Sequence, residues 1–416
     1  MTPPPLAVLS AEDVRDRIRR AQRSGFSSWL WPDVAIGDWR AAMSEIVVAT
    51  RAVLGGAEHC ALRADNAVAM GLAGYTSGMG PLLGHWIATG RLAAPPETEE
   101  LLGLHLDENR VRMDRLAGNA RNLVQAMEKA DVSVTVFKGM HTAFSHFPEP
   151  ATRPLSDIDL YIPPSQIGIA ETVLTDLGYV RRLQRRDPYM CDWARPSLRR
   201  EPHTLALLHR DDFWSFDVQT SLSRRLPTNA RIELDRLIRP SGDQRWSVSP
   251  AARVPEQPLL TLLLAAHTAH GLYNSTLLRI CELIFVIRKD TAAGTLDWDR
   301  LLAAAGQIGG ARYAYPAFFF CEKLVPGTIP EKILACCRAD APQNLRALLP
   351  TLDIAELQPL GRHPLRERFL WAGTWSDRFR QLAAELALDW QGRTFERTLQ
   401  SLGNKLWALS HRRLKM

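Results

Sequence analysis

The stretch from Val132 to Leu160, VSVTVFKGMHTAFSHFPEPATRPLSDIDL, constrains the fold more than any other part of the chain. Val132, Val134 and Val136 alternate as in a β-strand, a Lys138-Gly139 turn follows, then a short helix. A second strand begins with Asp157-Ile158-Asp159. Alternate residues of a strand face the same side, so the two carboxylates are aimed at one point. Charges held that close repel each other, and a divalent cation is the usual way to make the arrangement stable. The pattern points to Mg²⁺-dependent phosphoryl or nucleotidyl transfer.

Hydrophobic periodicity divides the rest of the chain. From Ser10 to Ala130 the period is helical, with Leu104, Val111, Leu116, Leu123 and Met127 near helical spacing and a loop at Pro95-Pro96. After the Asp-Ile-Asp strand, Ser165 is a helix N-cap candidate. Ile169, Val173, Leu174 and Leu177 form a helical face, and Gly178 is the stop signal. Residues 203–208 and 215–222 read as two strands joined at Arg210-Asp211-Asp212 in an antiparallel hairpin. Helices are expected over 259–271 and 276–288, with Asp297 capping a third that holds Leu301 and Leu302. A proline-punctuated stretch from Pro342 to Pro364 leads to a last helical unit ending in His411, Arg412, Arg413 and Lys415, whose basic residues suit a helix C-terminus.

The fold class expected is α+β and mostly helical: a minimal αβ core, a small mixed sheet with helices on one side, flanked by N-terminal and C-terminal helical regions. The expected divisions are a helical region over 1–130, the core over 131–227, a helical domain packing on it over 228–340, and a C-terminal helical extension over 341–416.

Bulk properties narrow the class of function. The 416 residues carry a net charge of +6, which suits an anionic ligand but is mild for a nucleic-acid binder. The six cysteines form no C-x-x-C pair, which favours reduced thiols and a cytoplasmic protein over disulfides or zinc. The N-terminus lacks the charged-then-apolar order of a signal peptide, and the most apolar run, 259–266, is too short for a bilayer, which takes about 20 residues.

Two-metal phosphoryl chemistry needs a third carboxylate beside the pair. Asp217, in Phe216-Asp217-Val218, fills that place better than Asp211 or Asp212, which fall in the turn. Gly139 permits close backbone approach to a phosphate, and Lys138 and Arg153 add positive charge. Other charged groups have simpler readings. His267 and His270 are three apart on a helix with no third ligand nearby, so packing is their expected role. Arg279 and Glu282 read as a structural pair, and His203 as a structural histidine.

The ordered set VFKGMHTAF, RPLSDIDLYI and FDVQ resembles the uncharacterised nucleotidyltransferase family of the polymerase-β-like superfamily. GMGPLLGHWIATGRL resembles that family's helix before the core, and LAAHTAHGLYNSTLLRICELIFVIRKD its downstream helical pair. The resemblance implies transfer of NMP from an NTP, ATP first, to a small-molecule or peptide acceptor, as in natural-product biosynthesis. It implies Asp157, Asp159 and Asp217 as catalytic residues holding Mg²⁺ (two ions), with Lys138, Gly139 and Arg153 binding the nucleotide. No nucleic-acid or membrane partner is expected. An RNA-modifying, toxin-like nucleotidyltransferase and a non-catalytic nucleotide-binding module are the alternatives. Two departures stand out. Lys-Gly replaces the superfamily's Gly-Ser turn, as in the family, and Gln219 replaces the family's histidine after the third carboxylate.

Overall fold

The computed structural model describes residues 34–57, 59–63, 66–184, 190–196, 214–225, 231–239, 244–272, 275–357 and 370–371. The strand expected over 203–208, with His203, the turn at Arg210-Asp211-Asp212 and the basic end at His411, Arg412, Arg413 and Lys415 lie outside these residues, as do most of the C-terminal extension and the first part of the N-terminal helical region.

Among the described residues, four helices precede the sheet: α1 (Ile36–Leu54), α2 (Ala67–Ser77), α3 (Gly80–Ala88) and α4 (Pro96–Lys129). The 34 residues of α4 make a rod of about 50 Å. Pro96 occupies its first turn beside Glu97 and Glu99, where a missing N–H is harmless and acidic groups are favoured. Its buried stripe runs through Leu102, Leu106, Met113, Leu116, Leu123 and Met127, whereas Leu104 and Val111 are each 42% exposed. The latter two form their own seven-residue repeat, five positions out of step with Leu116, and so face outward. Helix α3 crosses α4 closely because Gly84 has no side chain: a Cβ there would sit 2.3 Å from the carbonyl oxygen of Leu102.

The sheet follows. Its strands are β1 (Val134–Phe137), β2 (Asp157–Tyr161), β3 (Val180–Gln184), β4 (Met190–Ala194), β5 (Ser215–Gln219), β8 (Arg245–Trp246) and β9 (Ser249–Arg253), with β6 (Arg224–Arg225) and β7 (Arg231–Ile232) forming a separate pair. The seven-stranded order is β3-β4-β5-β2-β1-β9-β8. The sheet is mixed: β2 runs parallel to β5 and β1 parallel to β9, while the remaining neighbours are antiparallel. Helices α5 (Gly139–Ser145) and α6 (Ile167–Asp176) connect the early strands. Gln166, not Ser165, is the N-cap of α6, because Pro164–Gln166 forms a 3₁₀ turn first; Gly178 ends the unit with φ of +80°. Strands β8 and β9 come from a stretch that the sequence assigned to the helical region, and β5 has the antiparallel partner β4.

Alternation along the strands separates two environments. Val134, Val136, Ile158, Leu160, Phe216, Val218 and Ala252 point into a core shared with α4 and α6. Thr135, Phe137, Asp157, Asp159, Ser215 and Asp217 take the other parity and face the opposite way. That second face meets α7 (Leu259–His270) and α8 (Leu277–Ala292), which join a larger helical core with α9 (Trp298–Gln307), α10 (Tyr315–Leu324), α11 (Glu331–Asp340) and α12 (Gln343–Leu348). Thr276 caps α8 and Asp297 caps α9 through their side-chain oxygens. All six cysteines are free. Among the described residues no helix is long and apolar enough to cross a membrane.

A buried network ties α5 to α8. His146 Nε2 lies 3.1 Å from Asp290 Oδ1, Ser145 Oγ 2.9 Å from His146 Nδ1 and 3.2 Å from His141 Nδ1, and Gln257 donates to Asp290 at 2.6 Å. Burial, reinforced by His146, pushes the His141 imidazole down to about 3 against the opposing charge of Asp290. Its unfolded value is about 6.5, so between those values the unfolded chain binds more protons, and stability falls as pH drops. Lowering the pH from 7 to 5 is expected to cost on the order of 2 kcal/mol from this group. Urea unfolding at the two pH values checks this, with His141→Gln flattening the difference.

Candidate functional site

Asp157, Asp159 and Asp217 meet on the α7–α8 side of the sheet. Asp159 lies directly opposite Asp217 in the parallel β2–β5 pair, and Asp157 is two residues earlier on the same face. One carboxylate oxygen from each lies within 4.8 Å of the others, the only such group of metal-ligating side chains among the described residues. Asp159 and Asp217 are buried and Asp157 is half-buried. The sequence placed Asp217 near the pair through a hairpin; in the structure the direct β2–β5 pairing does so.

What holds β2 in place comes from α4. The buried Arg112 guanidinium donates to the carbonyl of Leu155 at 2.8 and 3.3 Å, and Asn109 donates to the carbonyl of Ala151 at 2.5 Å. Both anchors grip the loop that enters β2, so the register of Asp157 and Asp159 is set before the sheet begins.

Lys138 is the cation in closest contact. Its Nζ lies 2.6 Å from Asp159 Oδ1, with both side chains nearly buried. To reach it, the backbone at Lys138 takes φ of +52° and ψ of −135°, a strained conformation for a side-chain-bearing residue that costs roughly 1–3 kcal/mol. Thr142 secures the kink: its N–H and its hydroxyl both donate to the Lys138 carbonyl, at 2.8 and 3.0 Å. Gly139 lies against the ends of two side chains: a Cβ there would sit 2.4 Å from Leu155 Cδ2 and 2.9 Å from Arg153 Cζ and would displace them.

Arg153 does not touch the carboxylates. It forms a two-pronged pair with Glu282 of α8, at 3.2 and 2.8 Å, and donates to the carbonyl of Pro154. Glu282, which the sequence paired with Arg279, also accepts from the Thr142 hydroxyl. Arg153, Glu282 and Thr142 thus join the Lys138-Gly139 turn to the helical roof.

Gln219 and Arg224 complete the cluster. The Gln219 amide donates 3.0 Å bonds to Asp159 Oδ1 and Asp217 Oδ2, and its carbonyl oxygen accepts from Arg224 at 2.6 Å. Gln219 is therefore oriented by Arg224, and its amide nitrogen faces both acids. Nothing in the sequence marked the buried Arg224, five residues on through an irregular turn. Asp192, directly opposite Asp217 in the β4–β5 pair, was also overlooked, because β4 carries no strong strand signal.

Electrostatics follow from this crowding. Burial raises the Asp159 carboxyl above its ordinary value; Lys138 pulls it down and Asp157 pushes it further up. Burial and then Arg153 lower the Arg279 guanidinium, against the pull of Asp157, Glu282 and Asp159. Burial, then Arg279, Lys138 and Arg224, hold the His267 imidazole well below its ordinary range, so it is neutral. Its helix neighbour His270 is exposed, and the two form no metal pair. Three acids ringed by Lys138, Arg224 and Arg279 put negative charge at the centre of the cluster and positive charge around it.

The donor set fits a hard divalent cation: three carboxylates with clustered oxygens and no sulfur or imidazole among them. The sequence model of a family described as uncharacterised nucleotidyltransferase matches residues 75–326. The matched stretch runs from the end of α2 through α11's approach and contains the whole site. No curated protein and no solved structure matches the chain.

Removing one partner of a buried ion pair leaves a stranded charge, which costs about 3–5 kcal/mol. Lys138→Met is expected to destabilise the fold on that scale, and the double variant Lys138→Met/Asp159→Asn to recover most of the loss. Urea midpoints of the four proteins in the cycle check this.

Proposed function

The chain belongs to the uncharacterised nucleotidyltransferase family, and from that premise we propose that this nucleotidyltransferase moves NMP from an NTP, ATP first, to a small-molecule or peptide acceptor with Mg²⁺. The observation that carries the reading is the convergence of Asp157, Asp159 and Asp217 within 4.8 Å beside a buried lysine. Asp157 and Asp159 would hold two Mg²⁺ ions, and Asp217 would share one of them. Bound there, Mg²⁺ neutralises phosphate oxygens and makes an acceptor hydroxyl easier to deprotonate.

The chain's own groups do the remainder. Asp217 is placed to take the acceptor proton, since it lies one strand away from Asp159 on the same face. Lys138 carries the cation nearest to where phosphate oxygens must come, and the bare Gly139 backbone leaves room for them. The buried setting strengthens every charge–charge contact relative to water. Gln219 fixes the distance between Asp159 and Asp217 by donating to both. An amide does so without titrating, where the imidazole found at this place in the family would change charge near neutral pH. Arg153, through Glu282, positions the turn and supplies positive charge at its edge.

Binding and turnover of each α-labelled NTP, with Mg²⁺ and with EDTA, test the proposal. Wild type is expected to bind nucleotide only with the metal, and Asp157→Ala and Asp217→Ala to lose binding at least ten-fold and label transfer by about a thousand-fold or more. Equal metal and nucleotide binding by all three proteins would sink the assignment.

A further inference from the structure

A second feature lies on the same face of the sheet, at the other end of its central strands. A cavity of about 200 Å³ is lined by Thr135 and Tyr161 on the sheet, and by Arg236, Arg239, Arg253 and Arg300 around them. Glu256 is its single carboxylate among the described lining residues. Arg236 is oriented by Glu233 and by the carbonyl of Gln307 at 3.2 Å. Arg239 and Arg300 have no side-chain partner among the described residues. Arg236, Arg239 and Arg300 are solvent-exposed; even with Glu233 taken up by Arg236 and Glu256 in the lining, guanidinium groups outnumber carboxylates here, which favours an anion.

Its position relative to the carboxylates is fixed by strand register. In the antiparallel β1–β2 pair, Phe137 lies opposite Asp159 and Thr135 opposite Tyr161. The Lys138-Gly139 turn follows Phe137 and so lies at the Asp157 end; the cavity begins at the Tyr161 end. Asp159 stands between them, with Tyr161 about 7 Å further along the strand. In a displacement at phosphorus, attacking and leaving oxygens lie roughly in line on opposite sides. If the pyrophosphate leaves over Lys138 and Gly139, the acceptor must enter from the Tyr161 side, where the arginines are.

We propose that this cavity holds the acceptor, and that the acceptor is an acid: a small molecule with a carboxylate or phosphate group seated on the arginines. This rests on the nucleotidyltransferase reading above. The acceptor's hydroxyl oxygen, reaching past Tyr161, forms a bond to the α-phosphorus; its proton passes to Asp217, and the bond from that phosphorus to pyrophosphate breaks. The cavity is smaller than the 300–1,000 Å³ or so of typical small-molecule sites. It admits an acid group and a few atoms beyond it, and a macromolecule only by a narrow terminus.

Inorganic phosphate and glutarate are the probes, titrated calorimetrically into the full chain carrying Lys138→Met together with Asp159→Asn, which removes the competing phosphate contact at the turn without stranding a buried charge. One or both probes are expected to bind, and which one does separates a phosphate from a carboxylate acceptor. Adding Arg300→Glu or Arg239→Glu should weaken that binding at least ten-fold, while the same single variants of the wild-type chain keep their Mg²⁺-dependent nucleotide binding. The proposal is overturned if neither probe binds, or if both arginine variants bind them unchanged. Because the titration involves no turnover, its failure leaves the nucleotide site standing. Loss of nucleotide binding by the wild type would instead undo the reading beneath it.

Discussion

Three carboxylates packed under a helical roof repel one another, and much of the surrounding structure answers that repulsion. Lys138 contributes an ammonium 2.6 Å from Asp159, at the expense of a strained backbone. Gln219 bridges Asp159 and Asp217 with one amide, and Arg224 holds that amide in place. Arg279 stands close enough for Asp157, Glu282 and Asp159 to oppose, without cancelling, the lowering that burial and Arg153 impose on it. Each group is costly where it sits and stable only because of the others, the behaviour expected of a polar network in a low-dielectric interior. Such a network holds the three carboxylates together with no cation among them.

The sheet makes the network possible by sorting parity. Apolar residues of β1, β2, β5 and β9 fill one face, so the intervening positions are left to chemistry. Helix α4 then fixes the strand entry through Arg112 and Asn109, and α8 reaches the Lys138-Gly139 turn through Glu282. The two cores, one beneath the sheet and one above it, thus meet at the acids. Helices far from the site matter because they keep the roof at the right height.

Much of this was legible in the sequence because it is local. The Asp-Ile-Asp parity, the Lys138-Gly139 break between strand and helix, and the cap at Asp297 are short-range patterns with direct geometric consequences. Features that depend on distant pairing were not. Strands β8 and β9 are short and polar-flanked, and only the pairing of β9 with β1 and of β8 with β9 makes them strands. Strand β4 and its Asp192 are defined by lying beside β5. Arg224 reaches Gln219 through an irregular turn that has no period to read, and Glu282, readable as a structural partner of Arg279, also pairs with Arg153 and Thr142, which lie far away along the chain. Of the apolar residues at helical spacing on α4, Leu116, Leu123 and Met127 are buried while Leu104 and Val111 face outward, because spacing alone does not say which side of a long helix is covered.

The most direct measurement is a Mn²⁺ titration followed by electron paramagnetic resonance, with an ATP analogue whose α,β-bridge cannot be cleaved. Tight Mn²⁺ binding by the wild type, weakened at least ten-fold in Asp159→Asn with the fold intact, is the predicted result. The same Mn²⁺ affinity in both proteins would contradict the central claim that these three carboxylates form the metal site.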